Sequence, residues 1–249
     1  RLSLVGSEMC IRDRGYSLHP KYSELFTQAG QTSPEIIFSV RYEGPGMSEG
    51  ASFNAHWNTP GEFINGTIDL ADDYYLTDGK KTADTNYGEM KDGKLDVSKP
   101  NAAHWENRDP RLYATLFVPG MKWNGKGGEG AWYGGAAASL STVYVMKYFD
   151  PSDTSNSWDN GQDFYVVRYA EVLLSLAEAL VQKGGYDDAE VRGLIDEVRQ
   201  RGDVNMPKVE DVEGTGLSKE ALLEVIKHER RVELAFEGCL LYTSPSPRD

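Results

Sequence analysis

The sequence predicts a mainly α fold, in which a helical module is joined to an irregular, loop-rich lobe with a few short strands. Three observations carry that prediction. Beyond Asp163, apolar residues recur at the i, i+3, i+4, i+7 spacing of amphipathic helices. A Gly-Gly pair then separates two such stretches by a turn so short that the helices must pack antiparallel. From Gly44 to about Ser141 the 3.6-residue period is missing, and Gly, Asn, Asp and aromatic residues dominate.

In chain order, residues 20–30 (PKYSELFTQAG) read as a short helix, with Leu25 and Phe26 apolar and Gly30 as its stop. Residues 35–42 (EIIFSVRY), rich in β-branched and aromatic side chains, read as a strand. Two further strand-like runs, 111–120 (RLYATLFVPG) and 142–150 (TVYVMKYFD), punctuate the irregular region. Loops this long are functional or disordered, and the abundance of Trp and Tyr argues against disorder. The stretch FYVVRYAEVLLSLAEALVQKG reads as a helix with Val166, Tyr169, Ala170, Leu173, Leu174, Ala177, Leu180 and Val181 on one face, closed by Gly184-Gly185. Asp187 caps the next helix, which buries Val191, Leu194, Ile195 and Val198 and carries acid in its first turn and base in its last. After a polar loop over 203–216, Ser218 caps a third helix, KEALLEVIKHERRVELAFEG. That cap is plain, because Ala221 holds the place a capping box gives to Glu or Gln.

The chain has 249 residues, 39 acidic against 26 basic side chains and a formal charge of −13. That length suits one large domain or two small ones. The charge argues against a nucleic-acid groove, which needs clustered Lys and Arg in excess, and against docking to an anionic leaflet. The longest apolar-rich segment, Val166 to Val181, is broken by Arg168, Glu171 and Glu178, so no membrane-spanning helix is predicted. Both cysteines, Cys10 and Cys239, fall in terminal stretches, 1–14 and 239–249, whose texture is that of translated sequencing-adaptor read-through. These stretches are expected to be non-native; the first lacks the apolar h-region of a signal peptide.

Five blocks occur in a recognisable order: YYLTDGK (74–80), NRDPRLYATLFVPG (107–120), TVYVMKYFDP (142–151), DFYVVRYAEVLLSLAEAL (163–180) and KHERRVELAFEG (227–238). Together they resemble the SusD/RagB family of outer-membrane nutrient-binding lipoproteins, over most of 20–238. The resemblance implies helical hairpins of the tetratricopeptide kind carrying an irregular lobe that holds the ligand. It also implies a lipid-anchored protein on the outer face of the outer membrane. There it caps a TonB-dependent SusC-like transporter and hands over an oligosaccharide or a peptide. The match corresponds to roughly the second half of a family member, without the lipobox cysteine and the amino-terminal repeat helices. The expected organisation is therefore a non-native 1–14, an irregular aromatic-rich ligand-binding lobe over 15–162, a helical repeat-like module over 163–238 and a non-native 239–249.

A sugar ring offers a face of C–H bonds and a rim of hydroxyls, so a glycan site is expected to combine flat aromatic platforms with amides and carboxylates. Trp57, Trp123, Trp132 and Trp158 each sit among polar or Gly residues, and Tyr133 adjoins Trp132. These five are the candidate ligand-binding residues, weighed against the alternative that each covers a small core under a long loop. Trp105, just before the NRDPR block, reads as structural.

Other clusters read as structural too. Asp150, Asp153, Asn156, Asp159 and Asp163 could offer oxygens to calcium, but their spacing fits no binding loop, and a solvated loop is the better account. Arg108, Asp109 and Arg111 around Pro110 read as a charge network pinning a turn against the helical module. Arg168, Glu171 and Glu178, with Arg230, Arg231 and Glu233, read as partly buried Arg–carboxylate pairs between helices. His19, His56, His104 and His228 are scattered, and neither HExxH nor GxSxG occurs. The Gly-rich stretch 125–135 lacks the context of a phosphate loop and reads as a mobile rim of the lobe. The expectation is a non-enzymatic glycan-binding protein with no catalytic residue, cofactor or metal. The rivals are a helical-repeat scaffold gripping a protein segment and a carbohydrate-active hydrolase.

Overall fold

In the computed structural model the described residues are 15–44, 47, 66–121, 143–150 and 159–238, with backbone alone at 94, 97 and 98. The fold is mainly α with a few short strands, as the periodicity predicts. Three long helices form its most regular part: α4 (Tyr169–Lys183), α5 (Asp188–Arg199) and α7 (Lys219–Glu233). They bury Leu173, Leu174, Ala177 and Val181 of α4 against Val191, Leu194, Ile195 and Val198 of α5 and Leu222, Val225 and Ile226 of α7. The α4–α5 turn uses Gly184 and Gly185 at φ +79° and +65°, a region closed to most side chains. Asp187 caps α5 by accepting the Ala189 N–H at 2.9 Å, and Ser218 Oγ caps α7 by accepting the Ala221 N–H at 3.2 Å. Both caps are as expected.

The remaining elements, in chain order, are short. They are α1 (Tyr22–Leu25), a 3-10 helix (Gln28–Thr32), β1 (Ile36–Val40), α2 (Ile68–Asp72), β2 (Gly88–Lys91), β3 (Lys94–Pro100), a second 3-10 helix (Ala102–Trp105), α3 (Arg111–Thr115), β4 (Leu116–Phe117), β5 (Tyr144–Val145), β6 (Phe164–Arg168) and α6 (Val209–Val212). The strands form three antiparallel pairs, β1–β6, β2–β3 and β4–β5.

Four expectations need correcting. Residues 164–168 do not begin the long helix but form β6, in register Ile36↔Arg168, Phe38↔Val167, Ser39↔Tyr165 and Val40↔Phe164. The Tyr169 N–H donates to the Glu35 carbonyl at 2.8 Å, so the helix starts only where the ladder ends, and Val166 is 40% exposed on the sheet. Residues 111–115 are helical, because Pro110 holds φ −55° and Asp109 Oδ1 accepts the Arg111 N–H at 3.0 Å, nucleating a turn before β4. Gly30 does not stop a helix; it lies inside the first 3-10 turn, where a Cβ would collide with the Leu25 carbonyl. Finally, α7 ends at Glu233, and Phe236 turns away with φ +63°.

Two aromatic-rich cores lie beside the helical one. Tyr22, Phe26, Phe117, Tyr144, Tyr148 and Tyr165 form one, and Tyr74, Trp105, Leu112, Leu116, Val143 and Val232 form the other. Trp105 is 1% exposed, in keeping with its structural reading. No described helix is long and apolar enough to cross a membrane.

Candidate ligand-binding site

Trp57, Trp123, Trp132, Tyr133 and Trp158 all lie outside the described residues, as does the Gly-rich stretch 125–135. What is described is the framework that brackets the segments carrying them. Segment 122–142 leaves after β4 and Met121 and returns at Val143, directly before β5; the pairs Leu116↔Val145 and Phe117↔Tyr144 hold its two ends side by side. Segment 48–65 returns at Gly66, whose N–H donates to the Val143 carbonyl at 3.1 Å. A Cβ on Gly66 would stand 2.7 Å from a Leu116 methyl and 2.9 Å from a Val143 methyl, so a larger residue would have to push those side chains aside. Upstream, Gly44 lies on the backbone of Asp159 and Asn160, where segment 151–158 ends, and a Cβ there would collide with the Asp159 carbonyl. The stems of all three aromatic-bearing segments are thus tied to one another in pairs. Gly44→Ala is expected to cost about 1–3 kcal/mol of stability by forcing this backbone contact apart. Gly193→Ala, in open space on α5, is expected to gain up to about 1 kcal/mol. Urea denaturation of both variants checks the contrast.

Beneath these stems runs a buried charge network. Glu233 Oε1 accepts from Arg168 Nη1 at 2.6 Å and from Arg201 Nη2 at 2.9 Å, while its Oε2 accepts from Arg111 Nη1 at 2.9 Å. Arg111 also clasps Asp109 through Nη2 at 2.7 Å and reaches Glu229 at 2.5 Å, whose other oxygen takes Arg199 Nε at 2.7 Å. Arg168 and Arg201 share Glu35 Oε1 at 2.6 and 3.2 Å. Arg168 continues to Glu237, which also accepts from Lys147. Arg111, Arg168, Arg199, Arg201 and Lys147 therefore balance Glu35, Asp109, Glu229, Glu233 and Glu237. The expected pinning of the NRDPR turn against the helices is borne out through Arg111, which reaches Glu229 and Glu233 on α7 while Asp109 braces it from the turn. Arg108 differs: it turns away to the carbonyls of Ala71, Tyr74 and His104. Of the partly buried pairs expected between helices, Arg230 of α7 lies 3.8 Å from Glu171 of α4, whereas Arg168 stands on β6 and is fully buried with Glu233.

Electrostatics follow from that packing. Burial pushes the Glu233 carboxyl up, but Arg201, Arg168 and Arg111 outweigh it and hold it well below the carboxylate range. Glu229 is lowered in the same way by Arg111 and Arg199 against its burial. Burial brings the Lys147 ammonium down to about 8, with Glu237 opposing. A cleft beside the network, lined by Tyr75, Asp109, Arg111, Arg199, His228 and Glu229, leaves about 10 Å³, room for roughly one water. It is too small for a sugar ring.

The reading of 150–163 as a solvated loop needs correcting at its ends. Asp150 is buried and accepts the Gln28 N–H at 3.1 Å; Asp163 is buried and accepts the Tyr42 N–H at 3.2 Å. Among the described residues no group of His, Cys, Asp and Glu is arranged to hold a metal ion. Sequence reasoning missed the β2–β3 hairpin, although its Asp92-Gly93 turn, with φ +52° and +76°, is a type I′ signal legible as a dipeptide.

Comparison with known proteins returns one consistent result. The sequence profile of the SusD family matches residues 27–241. A SusD-like carbohydrate binding protein from Bacteroides fragilis NCTC 9343 superposes with a TM-score of 0.71 at 26% identity, over 97% of this chain and 48% of that one. A second SusD-like protein from the same organism gives a TM-score of 0.69 at 25% identity, over 94% and 48%. A SusD superfamily protein from Bacteroides vulgatus ATCC 8482 shares the fold, with a TM-score of 0.58 at 20% identity over 88% and 41%. No curated protein matches the sequence. The chain spans about half the length of the first two solved structures.

Proposed function

The chain belongs to the SusD family, and from that premise we propose that it is a non-enzymatic glycan-binding protein of the cell surface. It captures an oligosaccharide for uptake through a SusC-like TonB-dependent transporter of the outer membrane. The carrying observation is the likeness, over 97% of this chain, to a solved SusD-like carbohydrate binding protein. The ligand lies against Trp57, Trp123, Trp132, Tyr133 and Trp158, whose rings accept the C–H face of a sugar. Support for drawing these residues into one site comes from the paired stems that bracket their segments. In the intact parent, membrane attachment is through a lipid anchor.

The rival readings have less support. A general acid needs a carboxyl raised toward neutrality, whereas the buried Glu229 and Glu233 are lowered and locked to arginines. A peptide-gripping helical groove needs exposed apolar anchors on helices. Among the described residues the exposed large hydrophobics Phe38, Val40, Met47, Met90 and Val166 all lie off the helices.

Calorimetric titration against a panel of neutral and acidic oligosaccharides, with peptides alongside, tests the reading. Trp123→Ala and Trp132→Ala are each expected to weaken glycan binding by roughly tenfold or more, the value of stacking an aromatic face. Helical circular dichroism should stay unchanged. Binding of peptides and no glycan, or indifference of glycan binding to both substitutions, would sink the assignment.

A further inference from the structure

His104 sits on the 3-10 helix Ala102–Trp105 with its side chain sealed from solvent. Its two ring nitrogens face two carboxylates. Nε2 lies 3.0 Å from Oδ1 of Asp72, at the end of α2. Nδ1 lies 3.5 Å from Oδ2 of Asp84 and, though buried, has no hydrogen-bond partner. The local backbone aims Asp84 at the ring. Its Oδ1 accepts the Asn86 N–H at 2.8 Å and its own N–H donates to Thr82 Oγ1 at 3.2 Å, which leaves Oδ2 toward Nδ1.

A neutral imidazole carries one N–H, and an ionised carboxylate only accepts. With the proton on Nε2 for Asp72, the buried Nδ1 turns a lone pair toward the half-exposed Asp84, one acceptor facing another. The opposite tautomer gives up the shorter contact. Only the imidazolium donates to both sides. The other groups around the ring offer no substitute. Tyr87 packs at 4.6 Å between centroids and donates its hydroxyl to Asp72 Oδ2 at 2.6 Å; Trp105 meets the ring edge-on at 4.5 Å. Arg108 Nη2 lies 3.4 Å from Asp72 Oδ1, and Asp69 of α2 sets a further negative charge near Tyr87.

The geometry points to His104 as a proton-operated latch: as imidazolium it clamps the 82–87 turn onto the 3-10 helix through Asp84, and as neutral imidazole it releases that turn. The consequence reaches the hairpin. The Asn101 N–H donates to the Tyr87 carbonyl at 2.9 Å and Asn101 Nδ2 to the Asn86 carbonyl at 2.7 Å, so the turn and the root of β2–β3 are tied together. On the other side of the same 3-10 helix, Ala102 lies against Gly120, next to the stem after β4. The latch thus sets the order of the framework at one edge of the lobe.

Amide hydrogen exchange on the full chain at about pH 5.5 and about pH 8, corrected for intrinsic chemistry, reads the latch directly. The amides of Asp84, Asn86, Tyr87 and Asn101 are expected to be about tenfold better protected at the lower pH, the value of one charge-assisted hydrogen bond. In Asp84→Asn, at a half-exposed position, the side-chain amide can donate to the unprotonated Nδ1 or accept from the imidazolium, so that protection is expected to be independent of pH. Equal protection at the two pH values in the native chain overturns the latch, as does a pH dependence that survives in Asp84→Asn. Nitrogen chemical shifts of the His104 ring give the second arm: a proton gained there without any change at residues 84–87 also overturns it.

Discussion

Glu233→Ala is expected to cost about 3–5 kcal/mol of stability, the effect of removing one side of a buried ion pair. The reason is positional. Glu233 is fully buried on the last turn of α7, and its two oxygens accept from Arg111, Arg168 and Arg201, which come from α3, β6 and the segment after α5. Truncation leaves three guanidinium groups crowded together with one fewer countercharge and no water to replace it. Against a total stability of about 5–15 kcal/mol for an ordinary domain, that loss threatens folding itself. Urea denaturation should show a lower midpoint at unchanged slope, which separates lost stability from a change in the unfolded ensemble. Glu224→Ala, on the exposed face of the same helix beside Lys227, is expected to lie within about 0.5 kcal/mol of the parent. A Glu233→Ala loss below about 1 kcal/mol would mean that the network is solvated and that its apparent centre is not one.

How much of this was legible in the sequence depends on the range of the interaction. The α4–α5 hairpin was legible, because its apolar period, Asp187 cap and Gly184-Gly185 turn are written within about thirty residues. The β6 strand was not. In FYVVRYAEVLL, Val166, Tyr169 and Ala170 satisfy helical spacing as well as Tyr165 and Val167 satisfy alternation, and a partner strand more than a hundred residues upstream decides between them. The NRDPR cluster announced a charge network, since Asp109 and Arg111 flank a proline. Glu35, Arg199 and Arg201 carried no such signal, being ordinary charges until the fold brings them to Arg168 and Glu229.

The candidate site divides in the same way. Composition marks out the indoles at 57, 123, 132 and 158, set among glycines and amides. It gives no hint that their segments are tied in pairs, because the contacts at Gly44 with Asp159 and Gly66 with Val143 are made by backbone. Glycine is the only trace such contacts leave in a sequence, and among 26 glycines it does not stand out.

Acid is expected to unfold this protein more steeply than its surface charge alone would do. Burial acts to raise Glu233 and Glu229, yet their arginine partners prevail and both carboxyls are lowered in the folded chain. Unfolded, they regain the ordinary value of about 4.3. Above that value both states are ionised and the stabilisation is fully present; below it the unfolded chain takes up two protons that the folded chain refuses. Each such proton tilts the free energy by about 1.4 kcal/mol per pH unit, so both groups add to the loss of stability as the pH falls below about 4.3. Removing Glu233 should reduce that slope as well as lowering the plateau, because its contribution cannot titrate if it is absent. Denaturant midpoints for the parent and Glu233→Gln between about pH 3 and about pH 6 measure both quantities. The neutral amide keeps the shape of the side chain, so a slope identical in the two proteins would place the acid sensitivity elsewhere. A slope that drops with Glu233→Gln would make the α7 glutamates the residues through which acid separates the helices from the lobe.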